Sequence, residues 1–238
     1  MPWFEQGDLT IHYDIQGEGF PVLLLAPGGM RSAAALWERA PFDPRMVLAD
    51  AFQVISMDQR NAGASRGPVG DGDGWQTYAD DQLALLDHLG IGRCHVLGMC
   101  IGGPFCLGLM AAAPERIAAG VLLQPIGLDG NRGEFFDLFD GWAAELREHH
   151  PHVGESAWAA FRERMFGGEF VFHPDRNSVA SLAQPMLVLR GDDAYHPASV
   201  SEALVEVAPR AELLRCWKDG ADRDAAIQRI RGFLMAYS

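Results

Sequence analysis

One reactive side chain stands between two glycines where an apolar run gives way to a helical pattern. Residues 94–103 read CHVLGMCIGG, with Cys100 between Gly98 and Gly102. A strand that turns sharply into a helix exposes the residue at the turn, and glycines are needed where a Cβ would collide. Unpaired N–H groups at a helix start lower a thiol pKa and can hold an oxyanion. We therefore expect Cys100 to be a nucleophile, the alternative being a small buried cysteine in an ordinary turn.

The order of strand, elbow and helix resembles that of the α/β-hydrolase-fold superfamily. This likeness extends over nearly the whole chain, and the segment GMCIGG is similar to the cysteine elbow of dienelactone hydrolases. The resemblance implies an α/β-hydrolase fold with a mostly parallel sheet covered by helices on both faces, and a hydrolase that uses no cofactor. The loop DQRNAGAS is similar to a loop common in the superfamily, and its Asp58 and Arg60 are expected to hold loops together.

The resemblance also implies an acid and a base for the nucleophile. In the superfamily the acid follows the penultimate strand, commonly four residues before a proline, which selects Asp193 ahead of Asp192. The base normally follows the last strand, but residues 218–224 read KDGADRD and no histidine occurs after His196. An unaided thiol is only a few per cent thiolate at pH 7, so this departure requires another activator or another chemistry.

His196 is the candidate for the missing base. It lies in the loop at the carboxyl end of the sheet, to which the elbow also points, and Asp193 is three residues away and could orient its ring. His173 is the second candidate, and a His196 that caps a helix or faces solvent is the structural alternative. The cluster of His149, His150 and His152 lacks the spacing of a metal site, so no metal is expected.

The loop after an early buried strand is expected to complete an oxyanion hole. Its sequence is Pro27-Gly-Gly-Met30, where the superfamily usually has His-Gly. The resemblance implies one backbone N–H donor from Gly29 or Met30, and a second from Ile101 at the elbow. A plain glycine turn remains the other interpretation of this loop.

Strand and helix signals alternate, as in a parallel sheet with helices on both faces. Apolar runs predict strands at residues 9–15, 22–26, 52–57, 94–99, 117–123, 186–190 and 211–217. Helices are predicted from Arg31 to Glu38, from Trp75 to Gly90, after the elbow, and around residues 227–234.

Residues 126–182 carry no strand signal and are predicted to form a small helical cap inserted into a core of residues 1–125 and 183–238. Phe135, Phe139 and Trp142 recur at helical spacing. We expect these three side chains and His173 to line an apolar substrate pocket, although the same spacing also suits helices that merely dock on the sheet.

The composition of the chain limits the binding partners and the cellular location that we expect. The 238 residues carry a net charge of −13, spread along the chain, which disfavours nucleic acid and anionic membrane surfaces. The first eight residues lack the basic start and apolar core of a signal peptide, and no apolar run reaches the length of a membrane span. Four cysteines without disulfide or zinc spacing suit a reducing compartment, so a cytoplasmic protein is expected, and a homo-oligomer stays open.

Two functions remain open at this point. The first is a cofactor-independent hydrolase that cleaves an ester, thioester or lactone of a small, partly apolar acyl substrate through a Cys100 acyl-enzyme. The second is a non-hydrolytic member of the fold, either a ligand-binding protein or a lyase, isomerase or acyltransferase, and the absent late histidine favours it.

Overall fold

An eight-stranded sheet forms the centre of the molecule in the computed structural model, which describes residues 2–238. The strands are β1 (Trp3–Gln6), β2 (Leu9–Gln16), β3 (Phe20–Leu25), β4 (Phe52–Met57), β5 (Cys94–Met99), β6 (Ile117–Leu123), β7 (Met186–Leu189) and β8 (Ala211–Leu214). Their order in the sheet is β1-β2-β4-β3-β5-β6-β7-β8. β2 pairs antiparallel with β1 and β4, and every later pair is parallel.

Helices cover both faces of this sheet. They are α1 (Pro44–Leu48), α2 (Trp75–His88), α3 (Gly102–Ala112), α4 (Arg132–Leu146), α5 (Glu155–Phe166), α6 (Arg176–Ala180), α7 (Ala198–Val207) and α8 (Gly220–Met235). Two apolar clusters result: one joins the sheet to α2, α3 and the α4–α5 pair, and the other joins it to α8. This arrangement confirms the predicted α/β-hydrolase fold.

The central strands are apolar because they are buried on both faces. Every residue of β5 and β6 is buried, and so are the last four residues of β3. Continuous apolar runs predict such strands well, because a two-sided core leaves no polar face to produce alternation. The structure confirms the predicted bounds of β4 and β6.

The structure departs most from the predicted elements at three places. The helix expected from Arg31 to Glu38 is two 3-10 helices, Gly29–Arg31 and Ala34–Arg39. Hydrogen bonds from outside the segment explain the break: the Ser32 hydroxyl donates to the Ala26 carbonyl (2.6 Å), and the Ala34 N–H donates to Asp58 Oδ1 (2.8 Å). Strand β1 was not predicted. The last strand ends at Leu214 rather than at residue 217.

The chain between β6 and β7 is helical, with α4, α5, α6 and a 3-10 turn and no strand in this described stretch. Aromatic edge-to-face contacts join α4 to α5, among them Phe139 with Phe161 at 5.1 Å between ring centroids. Trp142 Nε1 donates to the Asn61 carbonyl at 3.1 Å, which attaches α4 to the core. We call residues 126–182 the insertion. Within residues 2–238, no helix has the length and apolarity that a membrane crossing requires.

Candidate active site

Cys100 occupies the sharp turn between β5 and α3. Its φ is +60°, a left-handed conformation that side chains other than glycine rarely adopt. The glycines on either side are required by close backbone approach: a Cβ on Gly98 would lie 2.1 Å from the Gly102 carbonyl oxygen, and one on Gly102 would lie 2.1 Å from the Leu25 carbonyl oxygen. The turn can therefore form only with glycine at both positions, and it holds the thiol at the carboxyl end of the sheet.

The surroundings of Cys100 favour the thiolate. Burial raises the pKa of this thiol, but His196 and the backbone N–H groups of Gly28 and Ile101 outweigh burial and hold the pKa below its ordinary value. An N–H donor or a nearby imidazolium stabilises the anion. The other cysteine of β5 behaves in the opposite way, since burial raises the pKa of Cys94 to about 12. Of these two thiols, only Cys100 has a lowered pKa.

His196 and Asp193 lie together in the loop after β7. His196 Nδ1 is 2.8 Å from both carboxylate oxygens of Asp193. The same carboxylate accepts the backbone N–H groups of Tyr195 (2.9 Å) and His196 (3.0 Å). Burial acts to raise the pKa of Asp193, yet His196 and these N–H donors bring it below its ordinary value. The Asp193 carboxylate is thus held against the imidazole ring by contacts that favour its ionised form.

The other ring nitrogen of His196 is not engaged by Asp193. Nε2 is buried and has no hydrogen-bond partner within the described chain, and His196 lines the same two cavities as Cys100. Burial lowers the pKa of His196, but the Cys100 thiol and the Asp193 carboxylate more than reverse this effect and raise it. Cys100 and His196 thus shift each other's pKa in the directions that favour a thiolate–imidazolium pair.

Lys218 stands where the superfamily resemblance placed the base, just after β8. Its ammonium group forms an ion pair with Asp192. The two adjacent carboxylates therefore have different contacts, since Asp192 contacts Lys218 and Asp193 contacts His196. Asp193 and His196 lie in one loop, whereas the segment after the last strand carries the ion pair of Lys218.

Two cavities of about 280 Å³ each meet at Cys100 and His196. The first lies beneath the insertion, whose Ile126, Phe135, Leu138 and Phe166 line it together with Tyr195 of the loop after β7. The second lies beside the ends of β5 and β6 and is lined by Pro27, Leu36, Arg39, Ala40, Met99 and Gln124. Gly28 contributes to both cavities. A carbonyl carbon placed at Cys100 would have a substituent in each.

Of the four residues expected to line the pocket, the structure places one there. Phe135 lines the cavity under the insertion. Phe139 and Trp142 instead pack inside the insertion, 5.4 Å apart between ring centroids. His173 stacks on Trp75 at 5.8 Å, outside both cavities, and burial lowers its pKa. Helical spacing identifies the buried stripe of a helix, but it does not separate residues that face a cavity from those that face another helix.

The residues predicted to form the oxyanion hole also differ in where the structure places them. Ile101 directly follows Cys100, and Gly29 lines the cavity under the insertion, whereas the buried Met30 lines neither cavity. Gly28, which the sequence did not single out, supplies an N–H at the thiol. Gln124, Leu138 and Tyr195 were missed as well. Gln124 and Tyr195 each follow a predicted strand end, and that position is the signal that could have found them.

Asp58 and Arg60 support the neighbouring loop. Asp58 Oδ2 accepts the Ala64 N–H (2.9 Å) and lies 3.1 Å from His12 Nδ1. Arg60 forms a bidentate pair with Asp81, with N–O distances of 2.6 and 2.8 Å. Neither side chain lines the two cavities. Among residues 2–238, no group of three or more metal-ligating side chains comes together.

Comparison with known proteins gives consistent matches. A family model described as "alpha/beta hydrolase fold" matches residues 21–178. The chain is 36% identical to a protein of Azorhizobium caulinodans named "Putative carbamate hydrolase RutD", over 90% of this chain and 88% of that protein. It is 26% identical to 2-hydroxymuconate semialdehyde hydrolase of Pseudomonas putida, over 83% and 79% of the two chains.

A solved structure shows the same fold. The enol-lactonase from Burkholderia xenovorans LB400 superposes with a TM-score of 0.72 at 21% identity, over 98% of this chain and all of that one. These matches do not test the similarity to dienelactone hydrolases. That similarity stays a prediction from the sequence around Cys100. With the family model and the relative of Azorhizobium caulinodans in agreement, the chain belongs to the family of α/β-hydrolase-fold proteins.

Proposed function

We propose that this protein is a cysteine hydrolase that cleaves an ester, thioester or lactone through an acyl-enzyme on Cys100. One observation supports this above the others: His196 lines the active-site cavities with Cys100 and is held at 2.8 Å by Asp193. The histidine missing after β8 is replaced by one from the loop that supplies the acid. Relatives named as hydrolases support the reaction class.

The proposed reaction uses Cys100 as a thiolate and His196 as an imidazolium. The Cys100 thiolate attacks the carbonyl carbon, and the resulting oxyanion accepts hydrogen bonds from the N–H groups of Ile101 and Gly29. Gly29 begins a 3-10 helix, so its N–H has no acceptor inside that helix. The His196 imidazolium gives the Nε2 proton to the leaving oxygen or sulfur as that bond breaks. Water then attacks the thioester with His196 as base, and the carboxylic acid leaves as the thiolate returns.

The cavities define the substrate class. The site under the insertion has aromatic and aliphatic walls, which suit a small or medium-sized, partly apolar group. Here the insertion serves as the cap over the active site. A thiolate forms its thioester intermediate more readily when an alkoxide or thiolate leaves than when an amine does. Esters, thioesters and lactones therefore fit this site better than amides.

The same acyl-enzyme would also permit acyl transfer to an acceptor other than water. Lys218 in place of the late histidine is the observation that keeps a non-hydrolytic reaction as the second candidate. The buried Nε2 of His196 favours hydrolysis, because it supplies the base that water needs. Location in the cytoplasm and a homo-oligomer stay predictions from the sequence.

The experiment combines trapping and substitution. Wild type and Cys100→Ala are assayed on nitrophenyl esters, acyl thioesters and lactones, and the protein is quenched in acid for mass spectrometry. We expect the wild type to gain the mass of the acyl group on the Cys100 peptide, and Cys100→Ala to lose hydrolysis while its thermal unfolding stays unchanged. Full activity in Cys100→Ala would rule out the covalent mechanism.

A further inference from the structure

A second recognition element lies beside the nucleophile. The cavity lined by Pro27, Leu36, Arg39, Ala40, Met99 and Gln124, here called the Gln124 cavity, opens onto Cys100 on the side away from the insertion. Its walls are mostly apolar, and Arg39 stands exposed at the rim. Gln124 is the one uncharged polar side chain among these six residues.

The sheet fixes Gln124 next to Cys100. Met99 of β5 pairs with Leu123 of β6, and Cys100 and Gln124 are the residues that follow in each strand. The Cys100 N–H donates to the Leu123 carbonyl (3.0 Å), and the Gln124 N–H donates to the Leu189 carbonyl (2.8 Å). Gln124 has a φ of +36°, so both strands end in a left-handed residue at this cavity. The amide is therefore attached to a rigid backbone beside the thiol.

Gln124 Oε1 lacks a partner. The side chain is only 6% exposed, and Oε1 is buried with no hydrogen-bond donor among residues 2–238. Of the buried side-chain polar atoms without a partner in that range, two belong to residues that line this cavity, Gln124 Oε1 and His196 Nε2. The histidine nitrogen is used by the reaction. A buried carbonyl oxygen without a donor costs free energy, which a ligand N–H would recover.

We propose that the Gln124 amide turns toward the cavity when substrate binds, so that Oε1 accepts a hydrogen bond from a substrate N–H placed within a few bonds of the scissile carbonyl. This inference rests on the proposed hydrolase function and narrows its substrate class to acyl compounds that carry a secondary amide next to the reacting bond. The insertion-side cavity then holds the apolar part, and the Gln124 cavity selects the polar part. Gln124 acts on specificity and takes no part in bond making.

Matched substrates that differ by one N–H test this role. In the acyl pair, 4-nitrophenyl N-acetylglycinate is compared with 4-nitrophenyl 4-oxopentanoate, in which CH₂ replaces N–H. In the leaving-group pair, the butanoyl thioester of N-acetylcysteamine is compared with that of 5-mercaptopentan-2-one. The kcat/KM ratio within each pair is measured in wild type and in Gln124→Leu, so that intrinsic reactivity cancels between the two proteins.

We expect wild type to prefer the amide-bearing member of at least one pair, and Gln124→Leu to reduce that preference about tenfold, the net effect of one lost hydrogen bond. Leu138→Ala, a substitution in the other cavity, is the control and should leave the ratio as it is. Ratios that Gln124→Leu does not change in either pair would overturn the inference and leave the hydrolase proposal intact.

Binding to Cys100→Ala separates the two proposals. This variant cannot form the acyl-enzyme, so affinity for N-acetylglycinamide and 4-oxopentanamide is measured by NMR titration without turnover. Tighter binding of the N-acetylglycinamide that disappears in Cys100→Ala/Gln124→Leu supports the role of Gln124, even where no ester is hydrolysed. Equal affinities, or no binding of either, would overturn it.

Discussion

His196 Nδ1 lies 2.8 Å from both oxygens of Asp193, three residues earlier in the same loop. The pair is held by backbone contacts as well, because the Asp193 carboxylate accepts two N–H groups of its own loop. Gly191 begins this loop, and a Cβ there would lie 2.1 Å from the His196 carbonyl oxygen. The orientation of the imidazole is thus a property of one short segment.

Asp193→Ala tests this orientation. Without the carboxylate, His196 loses its fixed ring position and the charge that raises its pKa, so kcat/KM should fall by about 100-fold. The neighbouring Asp192→Ala is the matched control, because that carboxylate contacts Lys218 and not His196. Its activity should stay within about twofold of wild type, as for an exposed ion pair. Equal losses in the two variants would contradict the assignment of the acid.

The pH profile of kcat/KM should be bell-shaped. The lowered pKa of Cys100 places the rising limb below the range of an ordinary thiol, since activity appears as the thiolate forms. The raised pKa of His196 places the falling limb above the ordinary histidine range, because the imidazolium that protonates the leaving group persists there. Both limbs report the coupled titration of Cys100 and His196. A profile that rises only in the range of an ordinary thiol would oppose this account.

Gly98→Ala should destabilise the elbow. The added Cβ would lie 2.1 Å from the Gly102 carbonyl oxygen and 2.8 Å from Cys106 Sγ, so backbone must move and the free energy of unfolding should drop by about 2 kcal/mol or more.

Gly232→Ala is the contrasting variant. Gly232 lies exposed inside α8 with nothing within 4 Å of its Cβ position. The free energy of unfolding of this variant should rise by about 1 kcal/mol, because alanine is a better helix former than glycine. Chemical denaturation measures both variants, and a neutral Gly98→Ala would show that the elbow does not need its glycine.

Arg60→Ala should destabilise the loop beside the site. The Arg60 guanidinium holds Asp81, whose side chain is 4% exposed and whose pKa burial raises despite the pair. Removing the arginine leaves a buried carboxylate unpaired, which costs about 3–5 kcal/mol. Arg229→Ala removes a pair with Glu212 that is about half exposed, and should cost under about 1 kcal/mol. Equal changes in denaturation midpoint would refute the distinction.

Much of the fold could be predicted from the sequence because its determinants are local. Continuous apolar runs marked β3 to β7, and the glycines around Cys100 marked the turn whose close contacts the structure shows. The spacing of Asp193 and His196 also carried information, since three residues in one loop leave the ring within reach of the carboxylate.

The walls of the site could not be predicted in the same way. Phe135 and Phe139 share a helix and a spacing, yet one faces the cavity and the other faces α5, because tertiary packing decides which side each helix presents. His173 ended against Trp75, far along the chain, which no local pattern encodes. Gln124 became informative only when its neighbours were known, since a missing hydrogen-bond partner is a three-dimensional property.

The most direct test of the central claim is the pH dependence of Cys100 alkylation by iodoacetamide. It is measured by mass spectrometry in a Cys216→Ser background, because Cys216 is exposed and would also react. We predict a thiol pKa below the ordinary value, a rise of that pKa in His196→Ala, and no change in His173→Ala, whose ring stacks elsewhere. An ordinary or raised pKa that His196→Ala leaves unchanged would contradict the nucleophile–base pair.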